Sequence, residues 1–377
     1  ESTSSLVSSA QQDQLAAGRP VAQVDANESI FNDLYYQWID DMGALVDLSK
    51  AAAKTGKDNM LESSVRLYQG VSGMALSSLN NGTTVLNEQG ELKQTGKGLR
   101  AIMEDFDFNA QAIEPNKKAR EQDLVDYMIA RRYALDLTNR DDVEVTEAQS
   151  KKSIETLAYM SAKYGDTMTL IDTSVQEIYE YQDRLLQMLV SFDVMSQKKY
   201  DTIKKENPNY IPFQRVMDEE YGIESGLQGM QLKTARTFAG KKLNQVIKKI
   251  QGSDKEIINP IESIVRNTFR ITDIAYQNRI AKQLVELADV MPEYVSKTSP
   301  AKISITDPKT GEKNFRIAEV QPADVFTALI KGEKKYYKAH PSIIAAMSSM
   351  SPEQIAGLGW LLSTPATVLR TGATITP

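Results

Sequence analysis

Residues 259–289 have the sequence NPIESIVRNTFRITDIAYQNRIAKQLVELAD, which carries the longest helical pattern in the chain. Asn259 suits the N-cap position, Pro260 the first helical position and Glu262 the third, so the start of the helix is well marked. The periodicity predicts a helix of about thirty residues that ends near Asp289. Its predicted buried stripe consists of Ile261, Ile264, Val265, Thr268, Ile271, Ala275, Leu284 and Leu287.

Further amphipathic patterns precede this helix, with apolar side chains at three- and four-residue steps. Asn80-Asn81-Gly82 predicts the end of one of them, because Asn and Gly adopt the left-handed backbone found at helix ends. Thr146 and Gln149 have the spacing of a capping box. Only Tyr164-Gly165-Asp166 joins the last two patterns, so we expect those helices to pack antiparallel. The predicted helices span residues 28–54, 60–79, 99–106, 119–137, 146–164 and 166–191.

A small β element is predicted after the long helix. Residues 302–305 and 315–317 alternate in polarity around the turn residues 307–311, which is typical of a β-hairpin. The segment Lys335-Tyr336-Tyr337 predicts a third strand, which places the element near residues 302–338. The fold class expected is mostly α, with bundle-like helical halves and this small β-hairpin or three-stranded element.

Proline marks the predicted hinge between those halves. Pro208 and Pro212 push the residues before them toward extended geometry and so interrupt the helical pattern. The predicted organisation is a linker or disordered tail at residues 1–27, an N-terminal helical domain at 28–206, a hinge and basic segment at 207–258, and a C-terminal domain at 259–377 that ends in an apolar helix.

Composition narrows the classes of function. The chain has 377 residues, a net charge of −6, no cysteine and one histidine, His340. Disulfides, thiolate metal sites and cysteine nucleophiles are therefore excluded, and any serine triad would have to use His340. No apolar run approaches the ~20 residues that a membrane span requires. We expect no metal, no cofactor and no enzymatic activity.

One enzymatic alternative stays open. The segment Ile223-Glu224-Ser225-Gly226, followed by Gly229-Met230-Gln231-Leu232, echoes the Glu-Ser and Gly-Leu-Met-Gln elements of lytic transglycosylases. Those enzymes protonate a glycosidic oxygen with one glutamic acid, so they need neither histidine nor cysteine. The two elements are nearly fused here, whereas the enzymes separate them by a helix end and a loop.

A second alternative is nucleic-acid binding. Residues 225–252 contain six cations and no acid, although the whole chain is acidic. Clustered cations are what non-specific contact with backbone phosphates requires. By contrast, Gly96-Lys97-Gly98 lacks the pattern of a phosphate-binding loop and predicts a sharp turn into a helix. The cations that would contact nucleic acid are Lys233, Arg236, Lys241, Lys242, Lys248 and Lys249.

The chain also resembles a known family, over about residues 30–377. Residues 207–215, NPNYIPFQR, are similar to an "Asn-x-x-Tyr-x-Pro-Phe-x-Arg" segment of the large polyvalent proteins of tailed phages and related mobile elements. Other segments resemble the central helical region of that family, in the same order. They are Thr95–Leu99, Tyr127–Arg132, Gly252–Asp254, Ile258–Thr268 and the Tyr336-Tyr337 strand.

The resemblance implies a non-enzymatic, helical segment of a longer polypeptide that acts as an internal virion or ejection protein and is delivered with the genome. It implies a location in the capsid interior, portal or tail conduit, or in the host envelope or cytoplasm after delivery. Expected partners are portal, tail and further ejection proteins in an oligomeric assembly, with phage DNA or host membrane as further contacts. We expect Tyr210, Pro212, Phe213 and Arg215 to lock the two halves across the hinge, and Asn259, Pro260 and Glu262 to start the long helix after it.

Overall fold

The computed structural model describes residues 42–56, 60–137, 145–207, 209, 259–306, 313–318 and 321–349. Helix outweighs strand, at 66% against 13%, and the strands form small antiparallel sheets. The predicted fold class, mostly α with a small β element, is therefore confirmed.

The described residues before 210 form helices separated by short turns and one small hairpin. The predicted capping box is confirmed, because Thr146 and Gln149 each accept a hydrogen bond from the other's backbone N–H. The elements are α1 (Gly43–Lys54), α2 (Leu61–Gln69), α3 (Val71–Asn81), β1 (Thr83–Leu86), β2 (Leu92–Thr95), α4 (Leu99–Ala110), α5 (Lys117–Arg131), α6 (Glu147–Tyr164), α7 (Met168–Ser191) and α8 (Gln197–Glu206).

Several of these helices differ from the prediction. The helix expected over residues 60–79 is two helices, α2 and α3, because the backbone leaves helical geometry at Gly70. The helix expected to reach Leu137 ends as α5, and Arg132–Leu137 continues it as a π-helical turn. Helix α6 packs mainly against α5 rather than against α7, so the expected antiparallel pair is not its main contact.

The remaining elements include the long helix, which starts where the sequence predicts. They are α9 (Pro260–Leu287), β3 (Val295–Lys297), β4 (Lys302–Thr306), β5 (Lys313–Ile317), β6 (Val325–Ile330), β7 (Glu333–Ala339) and α10 (Pro341–Ser349). The Asn259 side chain accepts a hydrogen bond from the Ile261 N–H at 2.9 Å, and Pro260 is the first helical residue. Glu262 binds Arg266 one turn later, at 3.1 Å from its Nε.

Helix α9 lies at the centre of the molecule. It packs against α2 and α3 on one side and against α7 and β6 on others, so most of its residues are buried, polar ones included. All eight residues of the predicted stripe are buried, and burial extends beyond them because α9 is enclosed around most of its circumference. One continuous apolar core runs from Met42 to Met347, so the helices before and after residues 207–258 share it.

The strands form three small sheets in the described residues. β1 pairs with β2, β4 pairs with β5, and β3, β7 and β6 form a three-stranded antiparallel sheet. The predicted hairpin is β4–β5. The predicted third strand exists as part of β7 but pairs with β6 and β3 instead, because the two-residue turn Lys331-Gly332 joins β6 directly to β7.

Several predicted features lie outside the described residues. These are the tail at 1–27, the first part of the helix predicted from residue 28, the basic segment up to residue 258, the hairpin turn at 307–311 and the terminal helix after residue 350. The described residues therefore test the central helical region and the β element of the prediction.

Candidate functional site

The structure describes three of the residues proposed from sequence, Asn259, Pro260 and Glu262, and places them in the first turn of α9. Their role there is to start the helix. The remaining proposed positions lie outside the described residues: Glu224, the six cations Lys233, Arg236, Lys241, Lys242, Lys248 and Lys249, and the hinge residues Tyr210, Pro212, Phe213 and Arg215. The transglycosylase and nucleic-acid interpretations of those positions stay predictions.

The described residues instead contain a buried polar network around α9, which we treat as the candidate site. In its middle, the Tyr68 hydroxyl of α2 donates a hydrogen bond to Asp273 Oδ1 at 2.7 Å. Gln277, one turn further along α9, donates to the same carboxylate oxygen at 3.0 Å and to the Tyr68 hydroxyl at 2.9 Å. All three side chains are buried, so each hydrogen bond forms away from water.

The electrostatics of Tyr68, Asp273 and Gln277 suit a structural contact between α2 and α9 rather than a proton relay. Burial and the neighbouring Asp273 carboxylate raise the pKa of Tyr68 well above its usual range. The Tyr68 hydroxyl therefore keeps its proton and acts as a donor to the carboxylate at all physiological pH values. A buried carboxylate held by two donors is satisfied, and removing one donor would leave its charge undercompensated.

A second polar contact between α2 and α9 lies further along α9. Arg279 Nε donates to the Ser64 hydroxyl of α2 at 3.0 Å, and both side chains are buried. Burial lowers the pKa of Arg279. Its Nη1 and the nearby Tyr276 hydroxyl find no hydrogen-bond partner among the described residues. This stretch of α9 is polar yet incompletely satisfied, which is uncommon in a folded interior.

The C-terminal end of α7 meets α9 and β6 at one point. The Asn278 amide donates to the Phe192 carbonyl and to the Leu329 carbonyl, each at 2.9 Å, and accepts from the Leu329 N–H at 2.8 Å. Lys282 forms an ion pair with Asp193, whose own carbonyl accepts from the Gly332 N–H. The turn after α7 is thereby attached to both the helix and the sheet.

Charged side chains also form contacts between α4, α5 and α6. Arg120 is nearly buried and binds Asp107 through Nη2 at 2.6 Å. Although burial opposes it, the hydrogen bonds from Lys117 and Arg120 hold the pKa of Asp107 below its usual value. One turn further along α5, Asp123 accepts from the Tyr164 hydroxyl at 2.9 Å. These contacts connect three helices through buried charged side chains.

The glycine turn at Gly96-Lys97-Gly98 does not present its lysine as an anion-binding group. Lys97 Nζ lies between two carboxylates, 2.5 Å from Asp105 and 3.0 Å from Glu177. A Cβ on Gly98 would lie 2.3 Å from the Asn80 carbonyl oxygen, so glycine permits a close approach of two chain segments. The prediction of a sharp turn into a helix agrees with this geometry.

His340 has a local structural role. Its Nδ1 lies 2.8 Å from the Ser342 hydroxyl and also accepts from the Ser342 N–H at 3.4 Å, at the start of α10. The ring therefore satisfies part of the first turn of the helix. Among the residues that the structure describes, no group of three or more acidic or histidine side chains could hold a metal ion. No helix in that part of the chain is both long and apolar enough to cross a membrane.

Sequence reasoning missed the buried polar network. A signal was present, since Asn267, Thr272, Asp273, Gln277 and Asn278 fall on more than one side of α9 and leave it without a single polar face. Such a helix has no side suited to solvent and is expected in an interior. Comparison with known proteins adds no relative: no family model, curated protein or solved structure matches the chain.

Proposed function

We propose that this chain is a non-enzymatic structural and interaction segment of a tailed-phage internal virion or ejection protein. The observation that supports a role in contact is how the buried charges are used. All five charged side chains that are buried in the described residues bind a residue from another part of the fold. The pairs are Arg120 with Asp107, Asp123 with Tyr164, Arg132 with the Asn209 carbonyl, Asp273 with Tyr68, and Arg279 with Ser64.

This arrangement favours a scaffold because each buried charge is engaged in holding elements together. A catalytic acid or base needs a group that faces a substrate and exchanges protons near neutral pH. Asp273 instead faces a hydroxyl whose pKa is raised, and Arg120 faces a carboxylate whose pKa is lowered. The raised pKa keeps the Tyr68 hydroxyl protonated and the lowered pKa keeps the Asp107 carboxylate ionised over the physiological range, which suits a structural contact.

The phage assignment is supported by the sequence segments that resemble the large polyvalent proteins and occur in the same order along the chain. The helical content of the fold also supports it. Helices form through local contacts, so they reform quickly after a chain has passed through a narrow channel. Well-marked starts such as Thr146 and Asn259 assist this, since each cap defines its helix without distant residues. Portal, tail and further ejection proteins are the proposed partners.

The test uses particles of the phage that encodes this sequence. Purified, genome-filled virions are compared with virions triggered to eject their DNA, and peptides of this chain are quantified by mass spectrometry against the major capsid protein. We expect several copies per filled particle and a marked loss after ejection, while the capsid protein stays constant. Detection in the infected-cell lysate but not in purified particles would refute the proposal.

A further inference from the structure

The β4–β5 hairpin stands apart from the rest of the described fold. Its two strands pair with each other and with no other described strand. Gln321 holds its base, because its amide accepts from the Ala301 N–H at 2.8 Å and donates to the Ala318 carbonyl at 2.7 Å. A direct bond from the Ala318 N–H to the Ala301 carbonyl closes the base. The hairpin is thus attached to the fold at its base, and we call the β4–β5 hairpin the arm.

Large apolar side chains on this arm are exposed to solvent. Phe315 is 68% exposed, Ile317 51% and Ile303 47%, although apolar side chains of this size are usually buried. Three cations, Lys302, Lys313 and Arg316, accompany them and form no ion pair within the described residues. An aromatic ring among unpaired cations is an unusual surface for a chain whose net charge is −6.

The strand register shows which of these side chains share a face. Lys302 lies opposite Ile317, and Ser304 lies opposite Phe315. Because side chains alternate along a strand, Lys313, Phe315 and Ile317 are on one face of β5, with Lys302 and Ser304 beside them on β4. Lys313 and Phe315 are two residues apart, which corresponds to about 7 Å along the strand. We call these five residues the hairpin face.

We propose that the hairpin face binds single-stranded nucleic acid, with Phe315 stacking on a base and Lys302 and Lys313 contacting the backbone phosphates. Proteins that bind single strands combine cations along the backbone with exposed aromatic rings on which bases stack. The hairpin face supplies both, and its unpaired cations are complementary in charge to phosphate. This inference goes beyond the proposed structural role and does not depend on where the protein is located.

Two observations favour nucleic acid over a lipid surface. Exposed apolar side chains occur on both faces of the arm, since Ile303 lies opposite Arg316 on the other side, so no single apolar face exists to enter a bilayer. The sequence between the two strands, residues 307–312, is DPKTGE, which is polar and charged. A single strand needs only one face of the arm.

The chain offers a matched control for Phe315. Phe108 on α4 is 71% exposed, which is nearly the same, but it lies among the acids Glu104, Asp105 and Asp107. Each of these acids is ion-paired with a lysine or arginine, so those cations are not free to bind phosphate. Lys151 and Lys152 on α6 provide two exposed lysines without an adjacent exposed Phe. These residues separate the effect of the hairpin face from the general effects of an exposed ring or of positive charge.

The experiment measures binding of the full chain to a fluorescein-labelled oligothymidylate by fluorescence anisotropy. We expect saturable binding at low salt that weakens steeply as salt is added, because phosphate contacts release counterions. F315A should weaken binding by about tenfold, which is the size expected for one stacked base. The double variant K302Q/K313Q should weaken binding at low salt and make it less dependent on salt, because two phosphate contacts are lost. F315Y should retain binding, while F108A and K151Q/K152Q should bind like the parent.

Circular dichroism and urea unfolding test whether each variant is folded. We expect all of them to fold, because the substituted side chains are exposed. No binding at low salt would overturn the proposal. Binding that F315A and K302Q/K313Q leave unchanged would also overturn it, and loss only on neutralising residues 233–249 would place the contact in the basic segment. Binding to phosphatidylserine vesicles that requires Phe315, with no oligonucleotide binding, would assign the arm to membranes instead.

Discussion

The side chain of Asn278 forms two hydrogen bonds with the main chain of Leu329, accepting from its N–H at 2.8 Å and donating to its carbonyl at 2.9 Å. Leu329 lies on β6, which is an edge strand of the three-stranded sheet. The amide therefore replaces a neighbouring strand at that position and satisfies backbone groups that would be unpaired in the interior. At this position of the sheet edge, the Asn278 side chain of α9 takes the place of a neighbouring strand.

Replacing Asn278 with alanine should lower the free energy of unfolding by about 2–4 kcal/mol, because buried N–H and carbonyl groups lose their partners. Urea denaturation followed by circular dichroism measures the change. Asn81→Ala, an exposed asparagine at the end of α3, is the control and should change stability little. An Asn278→Ala protein as stable as the parent would mean that water or other groups replace the amide.

The Tyr68–Asp273 pair predicts a measurable coupling between α2 and α9. Tyr68→Phe should destabilise the protein by about 1–3 kcal/mol, because the buried carboxylate loses a donor. In a double-mutant cycle with Asp273→Asn, the two changes should be less damaging together than their sum. Tyr159→Phe, at an exposed tyrosine, serves as the control. Additive effects would show that the hydrogen bond contributes nothing to stability.

Tyr276 predicts the opposite result at neutral pH. Its hydroxyl is buried and has no hydrogen-bond partner within the described residues. Tyr276→Phe should therefore leave stability unchanged or raise it by about 1 kcal/mol, since an unsatisfied buried polar group is removed. Tyr181→Phe is the matched variant, and it should destabilise, because the Tyr181 hydroxyl lies 3.0 Å from the Thr268 hydroxyl in a hydrogen bond.

The same residue predicts a loss of stability at alkaline pH. Burial raises the pKa of Tyr276 to about 12. Above pH 10 the unfolded tyrosine releases its proton while the folded one keeps it, so the contribution of Tyr276 is intact below pH 10 and is lost between pH 10 and about 12. In this pH range, ionisation of Tyr276 should lower the free energy of unfolding by about 1.4 kcal/mol per pH unit. Chemical unfolding at a series of pH values should show a shallower decline for Tyr276→Phe than for the parent.

Two glycines predict stability changes of opposite sign. Alanine at Gly98 would place its Cβ 2.3 Å from the Asn80 carbonyl oxygen, although φ of −72° suits any residue, so the clash alone should cost about 1–3 kcal/mol. Alanine at Gly73 inside α3 meets no atom within 4 Å and should raise stability by about 0.5–1 kcal/mol. Thermal unfolding of the two variants compares them directly, and a stabilised Gly98→Ala protein would contradict the close approach.

Local features of the fold could be predicted from sequence because they depend on neighbouring residues. The capping box at Thr146, the start of α9 at Asn259 and the β4–β5 hairpin all agree with the structure. The buried network could not be predicted, because Tyr68 and Asp273 are 205 positions apart and their contact depends on how the helices pack. The exposure of Phe315 was also missed, since strand periodicity does not show whether a hairpin is covered.

The amino-acid sequence by itself determined where α6 and α9 start, because their caps act over a few residues, and its composition excluded thiol chemistry. Tertiary structure decided that α9 is enclosed by elements from both ends of the chain, so that its polar side chains bind Tyr68, Ser64 and the edge of β6. The physical reason is that burial belongs to the assembled chain: a polar residue on a helix acquires a partner only when distant elements close around it.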